Sequence, residues 1–234
     1  MRKHRKGCVG GGSLSTLSSM ADEIVSYRED LVEEERTFQR LYGPWEPFAP
    51  EQAKEIFDST GLTWWIAGGW AIEAFTGEPR EHVDIDVSLW RRDVPTLVKA
   101  LEGRYHVWAA GPDGLCPLSD ERMSMPESAD QVWLREHALA PWRADCVLNP
   151  DRDGRWVSRR DPEFDAPLEE ITWERDGIRY LKPEVTLSFK AKLHRPKDDR
   201  DLAVTLPLLD DTARAFLADY LARQEPDHPW RSQV

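Results

Sequence analysis

Three things are scarce in this 234-residue chain, and each scarcity excludes something. Long apolar runs are missing, and nothing approaches the roughly 20 residues that a membrane-crossing helix needs. Cysteine is sparse. Cys8, Cys116 and Cys146 fit neither a disulfide framework nor zinc spacing, so a reducing cytoplasm is expected. Positive charge is short as well: 31 Lys and Arg stand against 43 Asp and Glu, for a net charge of −12. Residues 1–19 hold basic residues and no acids, so the remainder is more acidic than the whole. Such a body suits neither duplex nor tRNA unless a local basic patch compensates. Tryptophan, by contrast, is abundant, and eleven are more than a core of this size needs. Some are expected to line a pocket.

The organisation expected from composition has four parts. Residues 1–19 are basic, then rich in Gly and Ser, and read as a disordered tail with no apolar signal segment. Met20 then becomes a possible start. Residues 20–44 are charged with loose helical spacing. Residues 45–160 form the core and 161–234 a C-terminal hairpin and helical region. Residues 110–130, rich in Pro, Gly, Ser and Met, read as one long loop.

The core is organised around residues 64–89. Trp64 to Ala67 is a short bulky apolar run, the pattern of a buried strand. Gly68-Gly69 breaks it, and helical spacing then runs from Trp70 to Thr76 before Gly77 stops it. A second strand is expected from Val83 to Leu89. Residues i and i+2 of a strand share a face. Asp84 and Asp86 therefore project together while Val83, Ile85 and Val87 turn to the core. Two carboxylates roughly 5 Å apart repel by about 3 kcal/mol at an effective dielectric near 20. A hard divalent cation relieves that repulsion, and Mg2+ takes its remaining ligands from water and phosphate. The helix after Gly68-Gly69 offers free N–H groups to such phosphates.

A lone Asp-x-Asp is common on strands. Gly-Gly, a short helix and a strand bearing Asp-x-Asp in this order form a much narrower pattern. Trp65-Ile66-Ala67-Gly68-Gly69-Trp70-Ala71-Ile72-Glu73, followed by Arg80, His82 and Asp84-Ile85-Asp86, resembles the nucleotidyltransferase superfamily. The likeness is densest to the aminoglycoside 2''-nucleotidyltransferases over about 25 residues. Asp145-Cys146, on a strand read at Trp142 to Leu148, resembles an Asp-Cys pair of the same enzymes. Lys190 and the Arg195-Pro-Lys-Asp-x-x-Asp element resemble lincosamide and toxin-type members.

The resemblance implies an α+β nucleotidyltransferase fold, a mixed β-sheet flanked by helices with a C-terminal helical part. It implies an NTP, ATP by preference, used with Mg2+ to place a nucleoside monophosphate on a hydroxyl of a small molecule such as an aminoglycoside-like antibiotic. Asp84 and Asp86 would hold the metal. Asp145 would be either a third ligand or the general base. Gly68 and Gly69 would clamp phosphate, Arg80 and His82 would contact it or order the loop, and Lys190 and Lys197 would neutralise it. Two alternatives stay open: a toxin-type enzyme that modifies tRNA or a protein, and a nucleotide-binding module without turnover. No membrane partner is expected, and the oligomeric state is not legible.

Overall fold

The computed structural model describes residues 36–37, 39–119 and 125–234. The expected tail, and most of the expected helix at 20–44, lie outside the described residues. Two units are distinguished, residues 1–44 and 45–234. In the first, residues 36–37 and 39–42 are helical.

The second unit is α+β. Its helices are α1 (Pro50–Asp58), α2 (Gly68–Thr76), α3 (Val94–Leu101), α4 (Leu168–Ile171), α5 (Pro183–Leu193), α6 (Pro196–Thr205) and α7 (Asp211–Gln224). The strands that frame the site are β1 (Trp64–Ile66), β2 (Asp86–Trp90), β3 (His106–Gly111), β4 (Gly114–Leu118), β5 (Gln131–Arg135) and β6 (Ala144–Asn149). Then come β7 (Asp151–Arg152), β8 (Arg155–Val157), β9 (Asp165–Ala166), β10 (Thr172–Arg175) and β11 (Ile178–Leu181). Eight strands form one sheet in the order β10-β11-β1-β2-β6-β5-β3-β4, and β7-β8-β9 form a small second sheet. The large sheet is mixed, because β1 runs parallel to β11 and β2 parallel to β6 while its other pairs are antiparallel.

Both faces of the central strands are covered, and their residues alternate between two cores. Trp64 and Ile66 join Val87, Leu89, Cys146 and Leu148 in one cluster. Trp65 and Trp90 join Trp156, Ile171 and Leu181 in another, on the opposite face. A third cluster packs α2 against the C-terminal helices through Ile72, Leu187, Leu202 and Leu217. Helix α5 is the hub of that region. Pro183 supplies its first turn, where a missing N–H costs nothing. It buries residues on most of its sides, Lys190 included.

Several boundaries differ from the sequence expectation. The second strand starts at Asp86, so Asp84 precedes it and Val83 is 58% exposed instead of entering the core. Helix α2 begins at Gly68, two residues before Trp70. The expected loop at 110–130 contains β4, an edge strand paired with β3 through the turn at Pro112-Asp113. Pro117 within it masks the strand signal, yet an edge strand tolerates proline because one side of its ladder is unused. Helix α6 opens at Pro196, inside the Arg195-Pro-Lys-Asp-x-x-Asp element. The expected C-terminal hairpin forms between β10 and β11 and turns at Asp176-Gly177, with φ of 54° and 70° there. Six of the eleven tryptophans are buried, Trp65, Trp142, Trp156 and Trp230 fully so, and none of the eleven lines the cavity at Asp86.

Candidate active site

The site is set by strand register. Parallel pairing of β2 with β6 puts Asp86 directly beside Asp145. Adjacent strands lie about 4.8 Å apart. Alternation then sends Asp86 and Ser88 from β2, and Asp145, Val147 and Asn149 from β6, to one face, where all five line a cavity of about 320 Å3. Their neighbours Val87, Cys146 and Leu148 are buried on the other side. Asp84 lines the same cavity from just before β2.

Gly68 and Gly69 make the corner, and close approach explains both. Gly68 has φ 63°, and a Cβ there would sit 1.7 Å from Asp86 Oδ2. No side chain fits. The Ala67 N–H donates to the Asp86 carbonyl at 2.9 Å, so the turn grips Asp86 by its backbone as well. A Cβ on Gly69 would meet the Arg80 guanidinium at 2.7 Å. The glycines therefore make room for Asp86 and Arg80 in addition to opening a helix toward the cavity.

The carboxylates are held under electrostatic stress. Burial, and then the Asp84 charge, push Asp86 up to about 6, while Lys190, Lys197 and Arg195 pull it back. Burial raises Asp145 well above the ordinary range, and Asp86 and Asp84 add to it. Asp145 Oδ2 accepts from Gln131 Nε2 at 2.6 Å. The Trp133 side chain also hydrogen-bonds the carboxylate and partly offsets the rise. Crowded, buried carboxylates fit a hard cation. They do not form a complete cage: among the described residues no three acidic, His or Cys side chains group closely enough to hold an ion by themselves. A cation here would need ligands from elsewhere, as a nucleotide's phosphates and water provide.

The opposite wall is cationic and braced. Asp201, 3% exposed, accepts both Arg80 Nη1 (2.8 Å) and Lys190 Nζ (2.7 Å). Asp198, fully buried, takes Lys190 Nζ at 3.3 Å and Arg195 Nε at 2.9 Å. Burial would raise Asp198, but Arg195 and Lys190 outweigh it and leave it below the usual carboxylate range. Arg80, Lys190, Arg195 and Lys197 all line the cavity.

Of the residues singled out in the sequence, Gly68, Gly69, Arg80, Asp84, Asp86, Asp145, Lys190 and Lys197 meet around this cavity. His82 does not line it. Its ring stacks on Trp70 at 3.7 Å between centroids, and its Nε2 meets Glu73 Oε2 at 2.8 Å. The same Glu73 oxygen accepts the Arg80 backbone N–H at 3.0 Å. Burial, then the Arg80 charge, hold His82 below its ordinary value against the Glu73 hydrogen bond. His82 thus contacts Trp70 and Glu73 of α2 instead of the cavity. Sequence reasoning missed Arg159, Arg160, Gln131 and Asn149 as lining residues. It quoted Arg195 and both aspartates of the Arg-Pro-Lys-Asp-x-x-Asp element without giving them a task. That spacing was the available signal, since Asp198 and Asp201 lie one helical turn apart.

Comparison with known proteins agrees with this core. Residues 51–110 match the family model described as aminoglycoside-2''-adenylyltransferase. The resemblance read from the motif is thereby borne out over residues 51–110. No curated protein matches the chain. Among solved structures, ANT(2")-Ia in complex with adenylyl-2"-tobramycin is similar over 72% of this chain and 92% of that one, at 17% identity and TM-score 0.46. Lincomycin-bound LnuA, a lincosamide antibiotic adenylyltransferase, is similar over 73% and 92%, at 19% identity and TM-score 0.41. The Megavirus polyadenylate synthase is similar over 88% of this chain and 40% of that one, at 11% identity and TM-score 0.41.

Proposed function

We propose that this protein transfers a nucleoside monophosphate, from ATP by preference, to a hydroxyl of a small-molecule acceptor. The observation that carries the reading is the register of β2 and β6, which sets Asp86 beside Asp145 opposite a braced cationic wall. Asp84 and Asp86 would hold Mg2+, which when bound shields charge on the attacking and leaving oxygens. Lys190, Lys197, Arg195 and Arg80 face the triphosphate and offset its charge. The α2 N-terminus at Gly68-Gly69 adds backbone N–H donors to the phosphates. Asp145 takes the proton of the acceptor hydroxyl. Burial and the neighbouring Asp86 and Asp84 charges raise its pKa, which favours proton uptake. The acceptor oxygen bonds to the α-phosphorus as the bond to the β-phosphate oxygen breaks, and pyrophosphate leaves.

Antibiotic acceptors are named for the similar structures, so tobramycin and lincomycin head the acceptor panel. A cytoplasmic setting, where ATP is plentiful, suits the reaction, and no helix among the described residues is long and apolar enough to cross a membrane. The test is pyrophosphate release by purified protein with each NTP, Mg2+, and a panel of aminoglycosides, lincosamides and tRNA. Release with a small hydroxylated acceptor is expected. Release with tRNA alone would replace this reading with the toxin-type one. Nucleotide binding without any release would reduce it to a binding module.

A further inference from the structure

Strand pairing sets Asp145 of β6 between Asp86 of β2 and Trp133 of β5. Across the antiparallel pair, residues directly opposite share a face with Cβ atoms about 4.5–5.5 Å apart. Asp145 therefore has a like charge on one side and an indole on the other. Pairing fixes its backbone but leaves its side-chain torsions free. Repulsion from Asp86 by itself would turn the carboxylate away from the cavity. Two donors from β5 oppose that turn. Gln131 Nε2 donates to Oδ2 at 2.6 Å, and the Trp133 side chain donates a second hydrogen bond. Both donors are neutral, so they set the direction of the carboxylate without cancelling its charge.

Trp133 is itself held in place. Its ring meets Trp45 at 5.3 Å and Trp142 at 5.4 Å between centroids, at 74° and 68°. Such edge-to-face contacts are the arrangement that aromatic pairs favour. Trp142 is fully buried, and the Arg135 guanidinium lies between it and Trp108, at 4.2 and 4.3 Å from the two rings. Four of the eleven tryptophans thus stand together on the β5 side of Asp145. Under the transfer reading, on which this inference rests, Asp145 must keep a lone pair toward the acceptor hydroxyl during attack. We propose that Gln131 and Trp133 are the positioning residues of this base, with Trp45 and Trp142 immobilising the Trp133 ring. Their effect runs through the direction of the carboxylate, and a misplacement of about 1 Å can cost about 10²-fold in rate.

Gln131→Met keeps length and Trp133→Phe keeps a ring, and each removes a donor. With ATP, Mg2+ and tobramycin or lincomycin, each should lower kcat about tenfold and the two together about a hundredfold, while KM for ATP and acceptor stays within about twofold. A merely structural defect would lower the rate in any background. This loss should vanish where the base is already gone: added to Asp145→Asn, neither substitution should lower kcat further by more than about twofold. A full further loss in that background, unchanged kcat in both single variants, or a loss carried by KM alone would overturn the proposal. The second readout needs no turnover. Crystal structures should show one Asp145 conformer in the natural protein, and a turned or multiply placed carboxylate in Gln131→Met with Trp133→Phe. A carboxylate unmoved by both substitutions overturns the proposal. Gln131→Met stands outside the aromatic stack, so it carries both readouts alone if Trp133→Phe does not fold. A turned carboxylate in the variant, with no pyrophosphate released by the natural protein on any acceptor, leaves this inference standing and sinks the transfer reading. Release by the natural protein with equal turnover in the variants does the reverse.

Discussion

The two walls of the cavity solve opposite problems. The strand wall carries Asp86 and Asp145 at positions fixed by backbone pairing, with few protein partners for their charge. The helical wall carries Lys190 and Arg195 on flexible side chains, and buried Asp198 and Asp201 brace them. The fold has neutralised much of the cationic wall and left the acidic wall to its ligand. Damage to the first should therefore reach the whole fold, and damage to the second mainly the chemistry.

Asp86→Ala should have the largest effect on activity, abolishing Mg2+-dependent turnover with the protein still folded, and Asp84→Ala should follow it. Steady-state pyrophosphate release alongside circular dichroism checks both. Turnover that survives would remove the metal assignment from this wall. Next comes Asp145→Asn, which keeps size but cannot take a proton. Positioned bases contribute about 10²–10⁴-fold, so turnover should fall by that order. Unchanged Mg–NTP affinity in calorimetry would identify a base, and parallel loss of affinity a metal ligand.

The cationic wall predicts the reverse pattern. Asp201→Ala strips the partner from Arg80 and Lys190 together. Removing one side of a buried ion pair costs about 3–5 kcal/mol, so urea unfolding should show a loss of that order. A loss below about 1 kcal/mol would mean that the bracing is cosmetic. The smallest expected effect is a gain. Asp86 holds its proton to about 6 in the fold against 3.8 when unfolded. That preference supports the fold below 3.8 and is lost as pH rises through 6. Ligand-free Asp86→Asn should thus melt several degrees higher than the natural protein at pH 7.5, and by a smaller margin at pH 4.5. An equal margin at both pH values would remove the charge explanation.

What the sequence disclosed follows from where the information lies. The Gly68-Gly69 corner, the Asp86 face and the β6 alternation around Asp145 are local patterns, and each was readable from its neighbours. Strand β4 was hidden by Pro117, which an edge position tolerates. The pairing of Asp201 with Arg80 joins residues 121 apart in sequence. No local period reports such a pair. Arg159 and Arg160 reach the cavity only because the small sheet turns them there, so their basic pair reads as ordinary surface charge in the linear sequence.

That long link between Arg80 and Asp201 also orders events in time. Synthesis proceeds from the N-terminus, and a chain finished only to residue 160 already holds Asp84, Asp86 and Asp145. It holds none of Lys190, Arg195, Asp198 or Asp201. Local and mid-range pairings close before distant ones, whose loop entropy is larger. The half-made protein therefore has an acidic strand wall and an Arg80 without its partner. Lys190, Arg195 and Lys197 reach the cavity only when α5 and α6 dock, so full nucleotide-binding competence should be among the last properties to appear as the chain is made.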